Sequence, residues 1–353
     1  MAPADEQGSK GLGISGANAR HVRTSAITVS PSQTNVTAED SPNEKKEARP
    51  KRFARLLYYH ALIVIVTPLL GSLLAVWLAW RDGVGSLELG LLLLMYGITG
   101  AGIAVGFHRY LTHKSFEAKP AVRATLVVLG SMAAQGPVIY WSAVHRYHHA
   151  HSDQEDDIHS PNFPEKRFYG CVKAIWHAHA GWMLKHNMPN PSRYVRDLLS
   201  DPLIKFVNDW YYFWILLGLA IPTLLGWFLS GTPYGAFKGF LWGGLVRTFV
   251  VHHCTWSVNS LCHVFGDRPF YTTDHSRNNF WLSLPTLGES WHNNHHAFPY
   301  SAKMGLTWKQ LDPGSWLIRC LEIAGLAWGV KEPSPEAIAL KRLERAVCKS
   351  KGS

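Results

Sequence analysis

Four long apolar runs constrain the fold of this chain more than any other feature. They cover residues 57–80, 85–107, 211–230 and 235–251. The first contains no charged residue apart from the titratable His60, and a helix needs roughly 20 apolar residues to cross a bilayer. Hydrophobic residues make up 47% of the chain and charged residues only 17%, which is typical of a membrane protein. The runs therefore predict an all-α integral membrane protein with four transmembrane helices in two hairpins.

The charges that flank the apolar runs predict the orientation of these helices. Residues 43–56 supply six Lys and Arg, whereas the connection 81–84 supplies one and the connection 230–235 supplies none. Lys and Arg are concentrated on the cytoplasmic side of membrane proteins. Both termini are therefore predicted to be cytoplasmic, together with a helical cap built from residues 108–210 and 252–335.

The remaining segments complete the predicted organisation. Residues 1–50 are mostly polar and lack a hydrophobic stretch, so we predict a disordered tail there. Residues 51–335 form the membrane domain, and residues 336–353 form a C-terminal tail. The stretch 121–141 is also apolar, but a fifth span would place later polar motifs on the opposite side of the membrane. We therefore interpret 121–141 as interfacial or buried under the cap.

Histidines are concentrated in four motifs on the predicted cytoplasmic side. The motifs are HRYLTH (His108, His113), HRYHH (His145, His148, His149), NSLCH (Asn259, His263) and HNNHH (His292, His295, His296). Residues three and four apart share one face of an α-helix, so each HxxHH motif is expected to direct three imidazoles toward one point. His108 and His113 are five apart and would diverge by about 140° on an ideal helix. We expect that helix to end or distort there.

Nine imidazoles at this spacing predict a metal centre. Neutral imidazole binds iron, copper and zinc, and nine such groups exceed the three or four ligands of one zinc ion, so two metal ions are predicted. Solvated surface histidines do not account for clusters with ligand spacing. The acids of DQEDD (153–157), with Asp274 and Glu289, are candidates to accept hydrogen bonds from ligand imidazoles. Asp153 and Asp157 are preferred because they closely follow the second motif.

At these motifs the chain resembles the membrane fatty acid desaturases, in particular the Δ9 acyl desaturase group in its bacterial and plant form. HRYLTH matches the first histidine box of that family, HRYHH and HNNHH match the second and third, and NSLCH matches its additional Asn and His. The resemblance continues through the segments DIHSP (157–161), HAHAGW (177–182), SRNNFWLSLPTLGESWHNNHHAFP (276–299) and WLIRCLEIAGLAW (316–328). It covers roughly residues 57–330.

The resemblance implies a non-haem enzyme with two Fe²⁺ ions that uses O₂ to insert a cis double bond into a saturated acyl chain. The nine histidines of the motifs would be its iron ligands, and Asn259 would act through a bound water. Counting back from His108, Tyr96 occupies the position where Δ9 acyl-CoA desaturases close the substrate tunnel, and Gly100 lies one turn later. Tyr96 is therefore predicted to limit chain length. Gly97, Gly102 and Gly106 are further candidates for the tunnel wall because small residues allow close backbone approach.

The acyl carrier, the electron donor and the alternatives depend on less specific features. Ala143 and Val144 stand where animal acyl-CoA enzymes have an Arg-Asp pair, so acyl-CoA and acyl-lipid substrates both stay open. A separate donor of the ferredoxin, rubredoxin or cytochrome b5 type is expected, and its acidity would suit a chain of net charge +10. The charge also suits a lipid bilayer, and no pattern indicates nucleic acid. A membrane hydroxylase and a non-enzymatic metal-handling protein are the alternative functions.

Overall fold

The computed structural model describes residues 51–161, 168–185 and 189–351, and the predicted tail 1–50 lies outside them. The described chain is mostly helical. Its α-helices are α1 (Lys51–Asp82), α2 (Ser86–Ala101), α3 (Pro120–Ser131), α4 (Val138–His151), α5 (Phe168–His179), α6 (Pro191–Tyr194), α7 (Arg196–Leu199), α8 (Pro202–Asp209), α9 (Tyr211–Ser230), α10 (Pro233–Gly239), α11 (Arg247–Ser260), α12 (His292–Ala297), α13 (Pro313–Ile323) and α14 (Pro335–Lys351). Helix α14 occupies most of the predicted C-terminal tail.

Four further helical segments and two short strands complete the fold. Gly102–Thr112 and Phe240–Val246 are π-helices, whereas Gly181–Leu184 and Leu261–His263 are 3₁₀-helices. Strand β1 (Glu117–Ala118) pairs antiparallel with β2 (Ala327–Trp328), with Glu117 opposite Trp328. This pairing holds the segment that follows the first histidine motif against the chain beyond α13.

Within the described residues, three helical segments are long and apolar enough to cross a membrane: Leu57–Asp82, Ser86–Thr112 and Tyr211–Ser230. They correspond to the first three predicted spans. The fourth predicted span, 235–251, lies in the continuous helical segment formed by α10, a π-helix and α11, but its length and composition do not single it out. Lys238 and Arg247 lower its mean hydropathy. Four spans therefore stay a prediction, whereas three candidates are observed.

The apolar stretch 121–141 does not form one long helix. It is divided into the 12-residue α3 and the start of α4 by a bend in which Ala134 and Gly136 have positive φ angles of 60° and 104°. Helix α3 packs closely on the π-helix that follows α2: a Cβ on Gly102 would lie 2.1 Å from the Gly130 nitrogen. A β-carbon cannot occupy that space, so the contact explains a glycine at position 102.

A buried apolar cluster lies where several of these helices meet. It contains residues from the π-helix after α2 and from α3, α4, α8 and α11, among them Phe107, Val127, Ile139, Ile204 and Val251. The same elements carry the first two histidine motifs and lead into the NSLCH motif. The core thus fixes the relative positions of the helices that present the candidate ligands.

Arg247 is fully buried in α11 and bonds three carbonyl oxygens. Its guanidinium donates to the oxygens of Met132 (2.9 Å), Gly218 (3.1 Å) and Gly243 (3.2 Å). Met132 ends α3, and the Gly218 carbonyl lacks its normal helical donor because Pro222 has no N–H. Arg247 therefore satisfies backbone groups that the ends and interruptions of neighbouring helices leave without a partner.

Replacing Arg247 with methionine is expected to lower the free energy of unfolding by about 3 kcal/mol, because each buried carbonyl left without a donor costs roughly 1–3 kcal/mol. Thermal unfolding of the detergent-solubilised protein would measure the change. Arg319→Met is the matched control, since the Arg319 side chain is 67% exposed. Equal melting temperatures for both variants would contradict the role assigned to Arg247.

Candidate metal centre

The nine predicted histidine ligands form two adjacent clusters. The first contains His108, His113, His145, His149 and His295, and the second contains His148, His263, His292 and His296. Each imidazole offers one ring nitrogen as a ligand atom, and within each cluster all of these nitrogens lie within 4.8 Å of one another. The clusters adjoin where the rings of His149 and His296 stack with centroids 4.6 Å apart. The structure thus brings together all nine histidines, in two groups that could each hold one metal ion.

Each HxxHH motif is divided between the two clusters. His145 and His149 belong to the first cluster, whereas His148 belongs to the second. In HNNHH the division is reversed, because His292 and His296 belong to the second cluster and His295 to the first. The prediction that each motif directs three imidazoles toward one point is therefore wrong. The i and i+4 members stay together, and the i+3 member faces the neighbouring group across the space between α4 and α12.

A π-helix brings His108 and His113 to the same cluster. The backbone N–H of His113 donates to the carbonyl of His108, five residues earlier, at 3.1 Å. This wider turn brings the two rings to a centroid distance of 4.8 Å. The predicted distortion of the helix at HRYLTH is observed. The distortion starts at Gly102, well before the motif, and ends with it.

The spacing of the imidazole nitrogens fits metal coordination. Neighbouring Nε2 atoms lie 2.8–3.2 Å apart, in the pairs His149–His295, His145–His149, His263–His292, His113–His145, His292–His296 and His108–His295. Two nitrogens bound at right angles to one ion, at the roughly 2.1 Å typical of zinc–imidazole bonds, would lie about 3 Å apart. In addition, the buried His148 Nε2 has no hydrogen-bond partner among the described residues. Both observations fit nitrogens arranged to bind metal.

Carboxylates accept hydrogen bonds from Nδ1 of three of the imidazoles and so orient the rings. Asp157 accepts from His148 Nδ1 at 3.0 Å, Asp153 from His263 Nδ1 at 2.8 Å, and Asp274 from His296 Nδ1 at 2.8 Å. A proton held on Nδ1 leaves the Nε2 lone pair free for a metal ion. Burial alone would raise the pKa of each carboxyl, but its histidine partner holds that pKa below the usual range. The preferred Asp153 and Asp157 therefore contact ligand candidates, and Asp274 does the same.

Glu289 supports the first cluster in a different way. It contacts His108 Nδ1 and also accepts two hydrogen bonds from Arg109, at 2.9 and 3.1 Å. Arg109 is completely buried and forms a second ion pair, at 2.9 Å, with Asp312. Arg109 adjoins His108 in the sequence, but nothing in the motif indicates partners about 180 residues away. Sequence reasoning therefore missed Arg109 and Asp312.

Two cavities adjoin the clusters. The first, of about 50 Å³, is lined by His108, His145 and His292. Gly100 and Tyr96, which precede His108 on the same helical segment by about two to three turns, form its far wall. The second is larger, about 340 Å³, and its lining includes Leu57, His60, Ala61 and Val64 of α1, together with residues of α4. Both cavities share Trp141, His145, Thr255 and Asn259.

The residues predicted for the tunnel lie in different places. Tyr96 and Gly100 line the small cavity, and Asn259 lines both cavities. Gly102 and Gly106 instead face α3, where a Cβ on Gly106 would lie 2.7 Å from the Leu126 oxygen. A Cβ on Gly97 would meet nothing within 4 Å. Of the four glycines considered, only Gly100 therefore belongs to the cavity wall.

The other histidines near the motifs belong to neither of these two clusters. His151 stacks on Tyr147, and His252 bonds the Ala133 carbonyl at 2.8 Å. His179 bonds His253 at 2.9 Å. His159 is a different case, because its ring packs 4.3 Å from that of His148 and it lines the larger cavity. The sequence signals for His159 are its place two residues after Asp157 and its position in the DIHSP segment of the family resemblance.

Burial holds five of the nine ligand candidates in their neutral form. The pKa lies well below 6.5 for His113, His145, His149, His292 and His295, mainly because of burial and secondarily because of neighbouring histidines. Neutral imidazole is the form that binds metal. These five histidines can therefore bind metal without first losing protons at neutral pH, whereas the nearby Asp157 outweighs burial and raises the pKa of His148.

The same depressed pKa values predict a pH-dependent stability. Below the unfolded-state pKa of about 6.5, the histidines bind protons in the unfolded chain but not in the folded protein. The contribution of these buried histidines to the free energy of unfolding is therefore fully present above that pH and decreases below it. Chelator-treated protein is expected to melt at a lower temperature at about pH 5.5 than at about pH 7.5, the two sides of the ordinary histidine pKa. Thermal unfolding in detergent would measure this difference. A higher melting temperature at the lower pH would contradict it.

Comparison with known proteins agrees with this geometry. Residues 86–321 match the family model described as fatty acid desaturase, and these residues contain all four histidine motifs. This chain belongs to the fatty acid desaturase family, whose members are oxidoreductases. The family resemblance predicted from the motifs is confirmed.

Individual relatives cover most of the chain. A hex-5-enoyl-(acyl-carrier protein) acetylenase of Moorena producens is 46% identical over 287 residues, which are 80% of this chain and 89% of the relative. An sn-1 stearoyl-lipid 9-desaturase of Anabaena variabilis is 39% identical over 246 residues, 69% of this chain and 83% of the relative. The Delta-9 acyl-lipid desaturase 1 of Arabidopsis thaliana is 38% identical over 242 residues, which are 69% of this chain and 74% of the relative. The chain is thus similar to enzymes that act on different acyl carriers.

Proposed function

We propose that this protein is an O₂-dependent fatty acyl desaturase that inserts a cis double bond, at Δ9 of a saturated C16 or C18 chain. The observation that carries the proposal is the convergence of two histidine clusters on a narrow cavity lined largely by apolar residues. Two iron ions would be held by the nine histidines, with Asn259 acting through a bound water. Bound iron supplies the oxidising power that amino-acid side chains lack, and the protein supplies position.

The residues around the cavities would bind and orient the acyl chain. The larger cavity would receive the carboxyl-side part of the chain and the smaller cavity its methyl end. Trp141 and Thr255 line both cavities. Gln135 links them, since its amide donates to Thr255 at 2.9 Å and accepts from the Trp141 indole at 3.4 Å. These groups would fix the path of the chain beside His108 and His145.

The membrane topology and the partners are part of the same proposal. Four spans would place both termini and the metal centre on the cytoplasmic side, and Asp153, Asp157, Asp274 and Glu289 would support the ligands. The substrate would be acyl-CoA or, as in the names of two relatives above, an acyl-lipid. Electrons would come from a separate ferredoxin, rubredoxin or cytochrome b5 type of protein.

One relative favours a second candidate function. The acetylenase at 46% identity carries a six-carbon acyl group in its name, and the cavity beyond the histidines is only about 50 Å³. An acetylenase removes two hydrogens from an existing double bond, which needs the same oxidant and the same positioning. The second candidate is therefore an acetylenase that acts on a short unsaturated chain.

Expression in a host without its own desaturase tests both candidates. Fatty-acid methyl esters would be identified by mass spectrometry with localisation of the new bond, beside a His292→Ala control and with a donor protein supplied. A Δ9 monoene absent from the control supports the desaturase, and a short acetylenic acid supports the second candidate. Hydroxylated acids would favour the hydroxylase alternative, and no new product with a donor present would refute the proposal.

Tyr96→Ala is expected to shift products toward longer acyl chains, because the bulky ring stands at the far wall of the small cavity. Its hydroxyl donates to the Pro285 carbonyl and lies 3.5 Å from the Cys254 sulfur, so the ring is held in place. The ratio of C18 to C16 products in the methyl esters would measure the effect. Tyr96→Phe keeps the ring and serves as control, and an unchanged ratio in the alanine variant would contradict the prediction.

A further inference from the structure

Leu287 forms the part of the far cavity wall that faces Gly100. It lines the small cavity with Tyr96, Cys254 and Pro285. A Cβ built on Gly100 would lie 3.3 Å from Leu287 Cδ1, so the leucine side chain occupies the space that this glycine leaves. The wall is therefore formed by the segment that precedes the third histidine motif as well as by α2.

The backbone of Leu287 has a conformation that leucine rarely adopts. Its φ is 55°, in the left-handed region, and the following Gly288 has a φ of 96°. A bulky residue in this region is strained and persists only where surrounding contacts enforce the conformation. The Leu287 carbonyl accepts from the Gly314 backbone N–H at 3.0 Å and from Arg109 at 3.2 Å. These contacts hold the segment in place.

Arg109 connects this wall to the metal centre. The same guanidinium that bonds the Leu287 carbonyl pairs with Glu289, which contacts His108 of the first cluster. Buried, fully hydrogen-bonded arginine restricts the relative positions of the groups that it joins. The distance between Leu287 and the first cluster is thereby fixed by one buried network rather than by a mobile loop.

We propose that Leu287 is a specificity-determining residue that acts with Tyr96 as the stop for the methyl end of the acyl chain. The Leu287 side chain packs against Gly100 in this role. This inference rests on the proposed function and goes beyond it by assigning the stop to a second segment. The number of carbons accommodated beyond the metal centre would then depend on the pair formed by Leu287 and Gly100. Tyr96 alone would not determine it.

The test measures the C18 to C16 product ratio when both saturated acids are supplied together. Leu287→Ala is expected to raise the ratio about tenfold, the effect of about one to two methylenes in an apolar pocket. Gly100→Ala is expected to lower it, because the added methyl pushes Leu287 into the cavity. The double variant should return toward the wild-type ratio, since each change compensates the other. Leu284→Ala is the control, because Leu284 lies in the same segment but is 60% exposed.

The outcomes separate this inference from the proposed function. No unsaturated product from the wild-type protein would refute the proposed function. If the wild-type protein forms product and Leu287→Ala, with its iron bound, gives the same C18 to C16 ratio, the role of Leu287 is overturned while the proposed function stands. If Leu287→Ala does not retain iron, Gly100→Ala decides: a lowered ratio supports the stop, and an unchanged or raised ratio overturns it.

Discussion

His148→Ala is expected to abolish product formation and to lower the bound iron from two ions to about one per chain. His148 is the only member of HRYHH in the second cluster, and its buried Nε2 has no other partner among the described residues. Removing it leaves three histidines in the second cluster and five in the first. Because the two groups share no imidazole, the first is expected to retain its ion.

His151→Ala is the matched control for this variant. His151 lies on the same helix three residues later, stacks on Tyr147 and lies 3.7 Å from the exposed Asp156 carboxylate. Iron per chain and methyl-ester products would be measured for both variants in parallel. Retention of both ions by His148→Ala, or loss of one by His151→Ala, would show that the assignment of ligands is wrong.

The sequence was sufficient to predict the ligand types and the elements that carry them. Candidate ligands at i, i+3 and i+4 predict that each HxxHH motif lies on a helix, and the five-residue spacing of His108 and His113 predicts a distorted helix. Both features are local, and both are observed. The division of each HxxHH motif was not predictable, because it depends on how α4 and α12 face each other. That arrangement is set by the packing of helices distant in sequence.

The supporting residues show the same distinction. Asp157 follows the second motif by a few residues, and a turn brings it back to His148, whereas Asp153 bonds His263, 110 residues later in the chain. The Arg109–Glu289 contact joins residues 180 positions apart, and no spacing rule predicts it. The left-handed backbone conformation of Leu287 could not be predicted from the sequence either, because leucine rarely adopts it.

Glu289→Leu is expected to destabilise the protein by about 3 kcal/mol, the lower end of the cost of breaking a buried ion pair. Arg109 would keep Asp312 as a partner, which limits the loss. His108 would lose the carboxylate behind its Nδ1, so iron affinity is expected to fall by about 10–100-fold. Glu289→Gln keeps one acceptor oxygen, so it is expected to fold normally and still bind iron more weakly.

Glu289 would therefore act as a positioning residue, and iron dependence distinguishes this role from a purely structural one. Activity of Glu289→Gln measured against added Fe²⁺ should require a higher concentration than wild type and recover at saturation. Glu322→Gln is the control, because Glu322 pairs with Arg319 at the surface, far along the chain from the histidine motifs. An iron requirement equal to that of wild type would refute the role of Glu289. Loss of activity that iron does not restore would refute it as well, because a carboxylate that acts only by orienting His108 can be compensated by mass action on the metal.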